Sequence, residues 1–236
     1  MSYDGKKILA VVPARGGSKE IVKKNLIKIK DVSLIGHAAK TIDRLPWIDR
    51  AVISSDDNGM LQEGILHGLS DIGKRPDELS GDSSNAIDVW RHALLESEKI
   101  WETRFDCTVL LEPTSPLRKP TDVEAVVNKL IVGGYDSVVT VTETDSKSHP
   151  LKQLVTIDDK VTHYESKGAD IVMRQQLDPV YHRNGVAYAM MRDSLLSDDR
   201  ILGDNASAII VKGWVINIDT IWDVRYAEWL CSEGYV

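Results

Sequence analysis

The chain has 236 residues, enough for one large domain or for a main domain with a small appendage. Hydrophobic residues make up 42% and charged residues 28%, and the formal net charge of −7 argues against a non-specific nucleic-acid binder, which would present a basic face. Two distant cysteines, Cys107 and Cys231, make no disulfide framework, and no apolar run reaches signal-peptide or membrane-spanning length, so a cytoplasmic protein without a membrane partner is expected.

Ile8 to Val12 is a continuous apolar run, the pattern of a strand buried on both faces in a parallel sheet. A polar, glycine-rich loop follows, then a helical pattern from Ser33 to Leu45. Ala51 to Ser54 reads as the next strand, ending in Ser55-Asp56-Asp57, with a helix from Asn58 to His67 behind it. A weak strand over 69–74 leads to Arg75-Pro76. Asp82 reads as a loop or capping residue before a helix over Ser84 to Ile100. Cys107 to Leu111 is a strand, Thr121 to Ile131 a helix with Thr121 as N-cap, and Ser137 to Val141 a strand. Strands alternating with helices predict an α/β fold, a mostly parallel sheet flanked by helices.

The pattern changes over 143–185, which is polar and carries short alternating runs, Leu154 to Ile157 and Lys160 to Tyr164, joined by Asp158-Asp159. That pattern predicts an antiparallel arm, a lid or a dimer contact, inserted between a core of 1–142 and 186–236. The core resumes with strands over Val186 to Met191 and Ala208 to Ile218, and an amphipathic helix over Ile221 to Leu230 closes it.

The chemistry concentrates in Pro13-Ala-Arg-Gly-Gly-Ser-Lys19, directly after the first strand. Ligands of parallel sheets bind beyond the carboxyl ends of the strands. Gly16 and Gly17 let the backbone approach a ligand, and Arg15, Lys19, Lys23 and Lys24 place four cations within ten residues. A triphosphate carries about four negative charges, so the loop has the sign and shape to hold one. The segment is neither G-x-x-x-x-G-K-[ST] nor G-x-G-x-x-G. The six histidines lack zinc-ligand spacing.

This loop, with Lys24-Asn25 beyond it, resembles the signature of the CMP-sialic acid synthetases, the acylneuraminate cytidylyltransferases. The resemblance continues in order through Arg75-Pro76, Glu78-Leu79, Pro113-Thr-Ser-Pro-Leu-Arg118, His149-Pro-Leu-Lys152, Arg174-Gln-Gln-Leu177, Asn184-Gly185 and Ile218-Asp219-Thr220. It implies a Rossmann-like fold, a homodimer, a divalent ion (Mg²⁺ or Mn²⁺), and transfer of CMP from CTP to a free 2-keto acid sugar with release of pyrophosphate. It implies that Arg15, Ser18, Lys19 and Lys24 hold the phosphates, Arg15, Lys19 and Lys24 as the catalytic cations, that Ala14, Gly16 and Gly17 also bind the nucleotide, and that Asn25 and Arg75 contact the cytidine. Asn184 and Tyr188 would line the sugar pocket. Lys152 and Arg174, on the arm, would reach the partner subunit's site. Plainer readings stand beside these: Tyr188 as core, Lys152 as a surface lysine, Arg118 as a loop cap, and Asp56 and Asp57 as turn-formers instead of metal or ribose contacts.

The chain departs from the family pattern in three places. Glu20 and Val22 stand where Gly and Pro are common. Glu112 replaces a Gln that contacts the sugar, and a carboxylate there accepts hydrogen bonds from hydroxyls or pairs with an amino group. The metal-binding Asp-x-Asp appears as Asn217-Ile218-Asp219, with Asp219 the expected principal ligand. Competing expectations are an octulosonate or phosphonate acceptor, or a catalytically weak nucleotide-binding subunit.

Overall fold

The computed structural model describes residues 3, 5–18, 20–81 and 84–235, so Lys19 and Asp82 lie outside the described residues. The chain divides into two compact units, Met1–Thr140 with Asn184–Val236, and Val141–Arg183.

In chain order the elements are β1 (Ile8–Pro13), a two-strand ribbon of β2 (Lys28–Ile29) and β3 (Val32–Ser33), and α1 (Leu34–Asp43). Next come β4 (Arg50–Ser54), α2 (Asn58–Leu66), β5 (Ser70–Asp71), α3 (Ala86–Trp101), β6 (Cys107–Leu110), α4 (Pro120–Gly133) and β7 (Ser137–Glu143). A hairpin of β8 (Leu154–Ile157) and β9 (Lys160–His163) precedes β10 (Tyr181–Met191), α5 (Arg192–Ser197), β11 (Ala206–Ile210) and α6 (Ile221–Ser232). The main sheet runs β11-β7-β10-β6-β1-β4-β5. β1 pairs in parallel with β4 and β6, β4 with β5, and β10 joins β6 antiparallel.

β1 is central, and this explains its unbroken apolar sequence. Ile8 to Val12 are fully buried. Ile8, Ala10 and Val12 share one cluster with Ile35 and Ala38 of α1 and Val123 and Val126 of α4. Each large aliphatic side chain buried this way contributes about 1.5–3 kcal/mol.

The helices start where side chains satisfy their first N–H groups. Ser33 Oγ accepts from Gly36 N–H at 2.9 Å, Asp57 Oδ1 from Met60 N–H at 3.0 Å, and Asn85 Oδ1 from Ile87 N–H at 3.2 Å. Thr220 and Asp223 form a reciprocal capping box on α6. The expected cap at Thr121 is corrected. α4 begins one residue earlier, at Pro120, whose missing N–H costs nothing in the first turn.

The expected strand over 208–218 is also corrected. β11 ends at Ile210, Gly213 turns the chain at φ +96°, and residues 211–219 form no strand. Alternation survives there for another reason. Ile216 and Ile218 pack with Ile29, Leu34 and the α6 residues Val224, Ala227 and Leu230. Asn217 and Asp219 are left exposed, and Ile218 N–H donates to Thr114 O at 2.7 Å.

In the second unit, Leu154 pairs with His163 and Ile157 with Lys160. Asp158 and Asp159 both take left-handed backbone, φ 48° and 61°, the geometry that matches the twist of a tight hairpin. His149 is buried and bonded through both ring nitrogens. Nδ1 accepts from Leu151 N–H at 3.2 Å, and Nε2 lies 3.0 Å from Asp178 O. Nε2 must then donate, so the ring is the neutral tautomer.

Candidate functional site

The carboxyl ends of β1 and β6 open on a cavity of about 430 Å³ in the first unit. Pro13, Arg15, Lys24, Asn25, Arg75, Glu112, Asn217 and Asp219 all line it, although they come from five stretches of chain. Leu79, Ser84, Ala86 and Val89 complete a wall that sequence reasoning missed. Ala86 opens α3, so the positive end of a sixteen-residue helix meets the cavity. Asn85 as an N-cap was a readable signal for the helix start, but not for what that start faces.

The glycine loop is fixed from β4. Ala14 N–H donates to Ser54 O at 2.9 Å, and Gly16 N–H to Asp56 Oδ1 at 3.0 Å. A Cβ on Gly16 would sit 3.1 Å from Asp57 Cβ, a tight fit that favours glycine there. Arg15, Gly17 and Glu20 are exposed. Ser18 follows on a tight turn, its N–H donating to Gly16 O at 3.1 Å.

Asp56 also holds Arg75. The Arg75 side chain is 3% exposed, and its Nη2 reaches Asp56 Oδ1 at 3.3 Å. Nε donates to Ser80 Oγ at 3.2 Å and Nη1 to Ser54 O at 3.5 Å. Burial lowers the Arg75 pKa and Asp56 pulls it back up. One carboxylate therefore joins the glycine loop to a cavity-lining guanidinium. Asp57 caps α2 and is not among the residues that line the cavity.

Lys23 takes left-handed backbone, φ 53°, ahead of the 3-10 turn Lys24–Leu26. Lys24 Nζ donates to Asp219 Oδ1 at 2.8 Å, and Asn25 is buried against the cavity.

Glu112 follows β6 and sits on Gly185. Gly185 has φ +70°, and a Cβ there would lie 2.5 Å from Glu112 Oε2. Arg118, buried, staples the loop from below. Its Nε donates to Val186 O at 2.7 Å, and its Nη2 to Gly185 O at 3.2 Å and to Glu112 O. Burial pushes its pKa down to about 10, against the opposing pull of Glu112. This answers the role of Arg118: it holds the loop in place.

Asn184 and Tyr188 are buried, and neither lines the cavity. Asn184 Oδ1 accepts from Thr140 Oγ1 at 2.6 Å and from Val186 N–H at 3.2 Å. Tyr188 OH accepts from Gly185 N–H at 2.9 Å. Both side chains shape the Gly185 turn under Glu112. Lys152 is exposed in the second unit. Arg174 lines a 290 Å³ hollow of that unit with His149 and Asp178.

Asp219, Asn217 and Glu112 offer the cavity oxygen donors without sulfur or nitrogen. Mg²⁺ takes such a set, with one or two carboxylates and phosphates or water in the remaining positions. Among the described residues no group of three or more His, Cys, Asp or Glu side chains forms a metal cage. Nor, among the described residues, is any helix long and apolar enough to cross a membrane.

Residues 9–200 match the protein family described as cytidylyltransferase. The chain is similar to a post-translational flagellin modification protein B of Campylobacter coli, 28% identical over 229 residues that cover 96% of each chain. It is 28% identical over 228 residues, 96% of this chain and 95% of the other, to a CMP-N,N'-diacetyllegionaminic acid synthase of Campylobacter jejuni. Its fold resembles that of a CMP:2-keto-3-deoxy-manno-octonic acid synthetase solved with CTP, with a TM-score of 0.70 over 97% of this chain and 99% of that one. At 15% identity that likeness speaks for the fold alone.

Proposed function

Because the chain belongs to the cytidylyltransferase family, we propose that it transfers CMP from CTP to the anomeric hydroxyl of an acidic 2-keto-3-deoxy sugar of the nonulosonate class, which includes sialic acid. The observation that carries this reading is one cavity, at the carboxyl ends of parallel strands, where Arg15, Lys24 and Arg75 face the oxygen donors Asp219, Asn217 and Glu112. The similarity to a CMP-N,N'-diacetyllegionaminic acid synthase supports the acceptor class.

The acceptor hydroxyl oxygen forms a bond to the α-phosphorus and loses its proton, while the bond from that phosphorus to the bridging oxygen breaks and pyrophosphate leaves. Such a transfer needs alignment and charge neutralisation more than a protein nucleophile. Arg15, Lys19 and Lys24, with Ser18 and the Gly16-Gly17 backbone, hold the phosphates and offset the charge growing on pyrophosphate. Ala14 anchors the loop to β4. Asn25 and Arg75 contact the cytidine. Asp219 is the main protein ligand for a divalent ion, with Asn217 a neutral second donor; when bound, Mg²⁺ or Mn²⁺ supplies further neutralisation of phosphate oxygens.

Glu112 meets the acceptor as a hydrogen-bond acceptor, carried on the turn that Gly185, Asn184 and Tyr188 build. Residues 143–185 act as a dimer arm bringing Lys152 and Arg174 to the partner subunit's acceptor in a cytoplasmic homodimer. Cations suit the acceptor's carboxylate.

The test is pyrophosphate release from CTP with a panel of nonulosonates, an octulosonate and a phosphonate, with Mg²⁺ and with Mn²⁺. Turnover restricted to nonulosonates is expected. CTP binding without release for any acceptor would replace this reading with a nucleotide-binding subunit, an outcome motivated by Asn217. Unchanged metal-dependent turnover in Asp219→Ala would remove Asp219 as the metal ligand.

A further inference from the structure

One of the cavity's cations and its candidate metal ligand are bonded to each other. Lys24 Nζ lies 2.8 Å from Asp219 Oδ1, and the two residues are 195 positions apart. Each backbone is anchored. Lys24 opens a 3-10 turn behind the left-handed Lys23. Asp219 N–H donates to Asp223 Oδ2 at 3.0 Å, beside the α6 capping box. The Lys24 side chain is 16% exposed and that of Asp219 is 63% exposed, so solutes reach the pair from the carboxylate side.

A triphosphate and a divalent ion compete for opposite halves of this pair. The anion needs Lys24 and the cation needs Asp219. Either ligand arriving alone draws one half away from the pair and leaves the charge of the other less compensated. When both arrive, each half gains a new partner. We propose that the Lys24–Asp219 ion pair makes nucleotide and divalent-metal binding mutually dependent, so that each ligand unmasks the group the other requires. This rests on the reading of the cavity as a CTP site. Linkage then demands reciprocity: the factor by which metal raises CTP affinity equals the factor by which CTP raises metal affinity. For a pair this accessible, the contribution of the masking is about fivefold.

The inference inverts what simple loss of a ligand contact predicts. Free Mn²⁺ is measured by electron paramagnetic resonance during titration of the full chain without nucleotide. Lys24→Met is expected to bind Mn²⁺ about fivefold more tightly than the parent. Lys24→Arg retains the pair and should match the parent. Lys23→Met removes the same charge one residue away, where Lys23 pairs with Asp57 at 3.8 Å, and should also match it. In EDTA, Asp219→Asn should bind CTP about fivefold more tightly by calorimetry, although it lacks the metal-binding carboxylate. Thermal melts establish that each variant is folded.

Mn²⁺ affinity of Lys24→Met no higher than the parent's, or matched by Lys23→Met, overturns the proposal, as does CTP affinity of Asp219→Asn at or below the parent's. If the parent fails to bind CTP under any metal condition, the cytidylyltransferase reading fails instead. The Mn²⁺ arm, which uses no nucleotide, still decides the ion-pair inference.

Discussion

Asp56 accepts hydrogen bonds from the glycine loop and from a buried guanidinium, and replacing it tests the site's framework. In Asp56→Ala, Arg75 keeps its bonds to Ser54 O and Ser80 Oγ but loses its carboxylate. The lost contact is charge-assisted but long at 3.3 Å, which places it near the lower end of the range of about 1.5–3 kcal/mol for such bonds. Gly16 N–H, half-exposed, finds water and loses about 0.5–1 kcal/mol. Arg75 at 3% exposure has little water to replace its partner, so the expected cost is about 2–4 kcal/mol. Asp56→Asn keeps an acceptor for both donors and loses only the charge, so its cost is about half that. Urea denaturation of both variants and the parent, followed at one pH with a shared m-value, reads these differences. CTP calorimetry on the same samples should show weaker binding for Asp56→Ala than for Asp56→Asn. A stability change in Asp56→Ala below about 0.5 kcal/mol would refute the argument that this carboxylate compensates Arg75.

Other positions give independent checks. Gly185→Ala places a Cβ in left-handed backbone 2.5 Å from Glu112 Oε2, and should cost about 1–2 kcal/mol in denaturant midpoints while raising the acceptor KM more than the CTP KM. Glu98 accepts from Arg192 Nε at 2.7 Å and Nη2 at 2.8 Å. Burial raises the Glu98 pKa, but the bonds from Arg192 and Phe105 N–H outweigh it and hold the carboxyl below its ordinary value. A depressed folded pKa gives stability that is full above the unfolded pKa and lost as pH falls through the folded one. Glu98→Gln should therefore be less stable than the parent at pH 7, and the gap in melting temperature should close on acidification below the ordinary carboxylate range. Asn217→Asp adds a third carboxylate to the cavity, beside Glu112 and Asp219, and should tighten Mn²⁺ binding in the presence of CTP severalfold, measured by resonance titration.

What was legible in the sequence was local. The apolar run at Ile8 and the glycines after it announced a buried strand and a glycine loop behind it, because burial on both faces and loop chemistry are written in adjacent residues. Asp158-Asp159 announced the hairpin for the same reason. Long-range choices were hidden. Tyr188 sits in an apolar strand, where pocket and core side chains look alike, and only the bond from Gly185 N–H separates them. The role of Arg118 depends on carbonyls 67 and 68 residues away. The alternation of Ile216 to Asp219 looked like a strand, yet the isoleucines bury against α6 after Gly213 has turned the chain.

The cavity draws on residues as early as Pro13 and as late as Asp219. During synthesis, a chain that ends before position 217 has made the glycine loop and the central strands but lacks the last wall of the cavity. Ligand cannot select the native state at that stage, so sheet assembly proceeds on hydrophobic burial alone, through slow non-local pairings whose edges stay open to other chains. Once α6 docks and brings Asp219 beside Lys24, any molecule that binds there stabilises the whole fold by mass action. Nascent chains arrested before and after residue 217 should accordingly differ in whether nucleotide and metal protect them from protease.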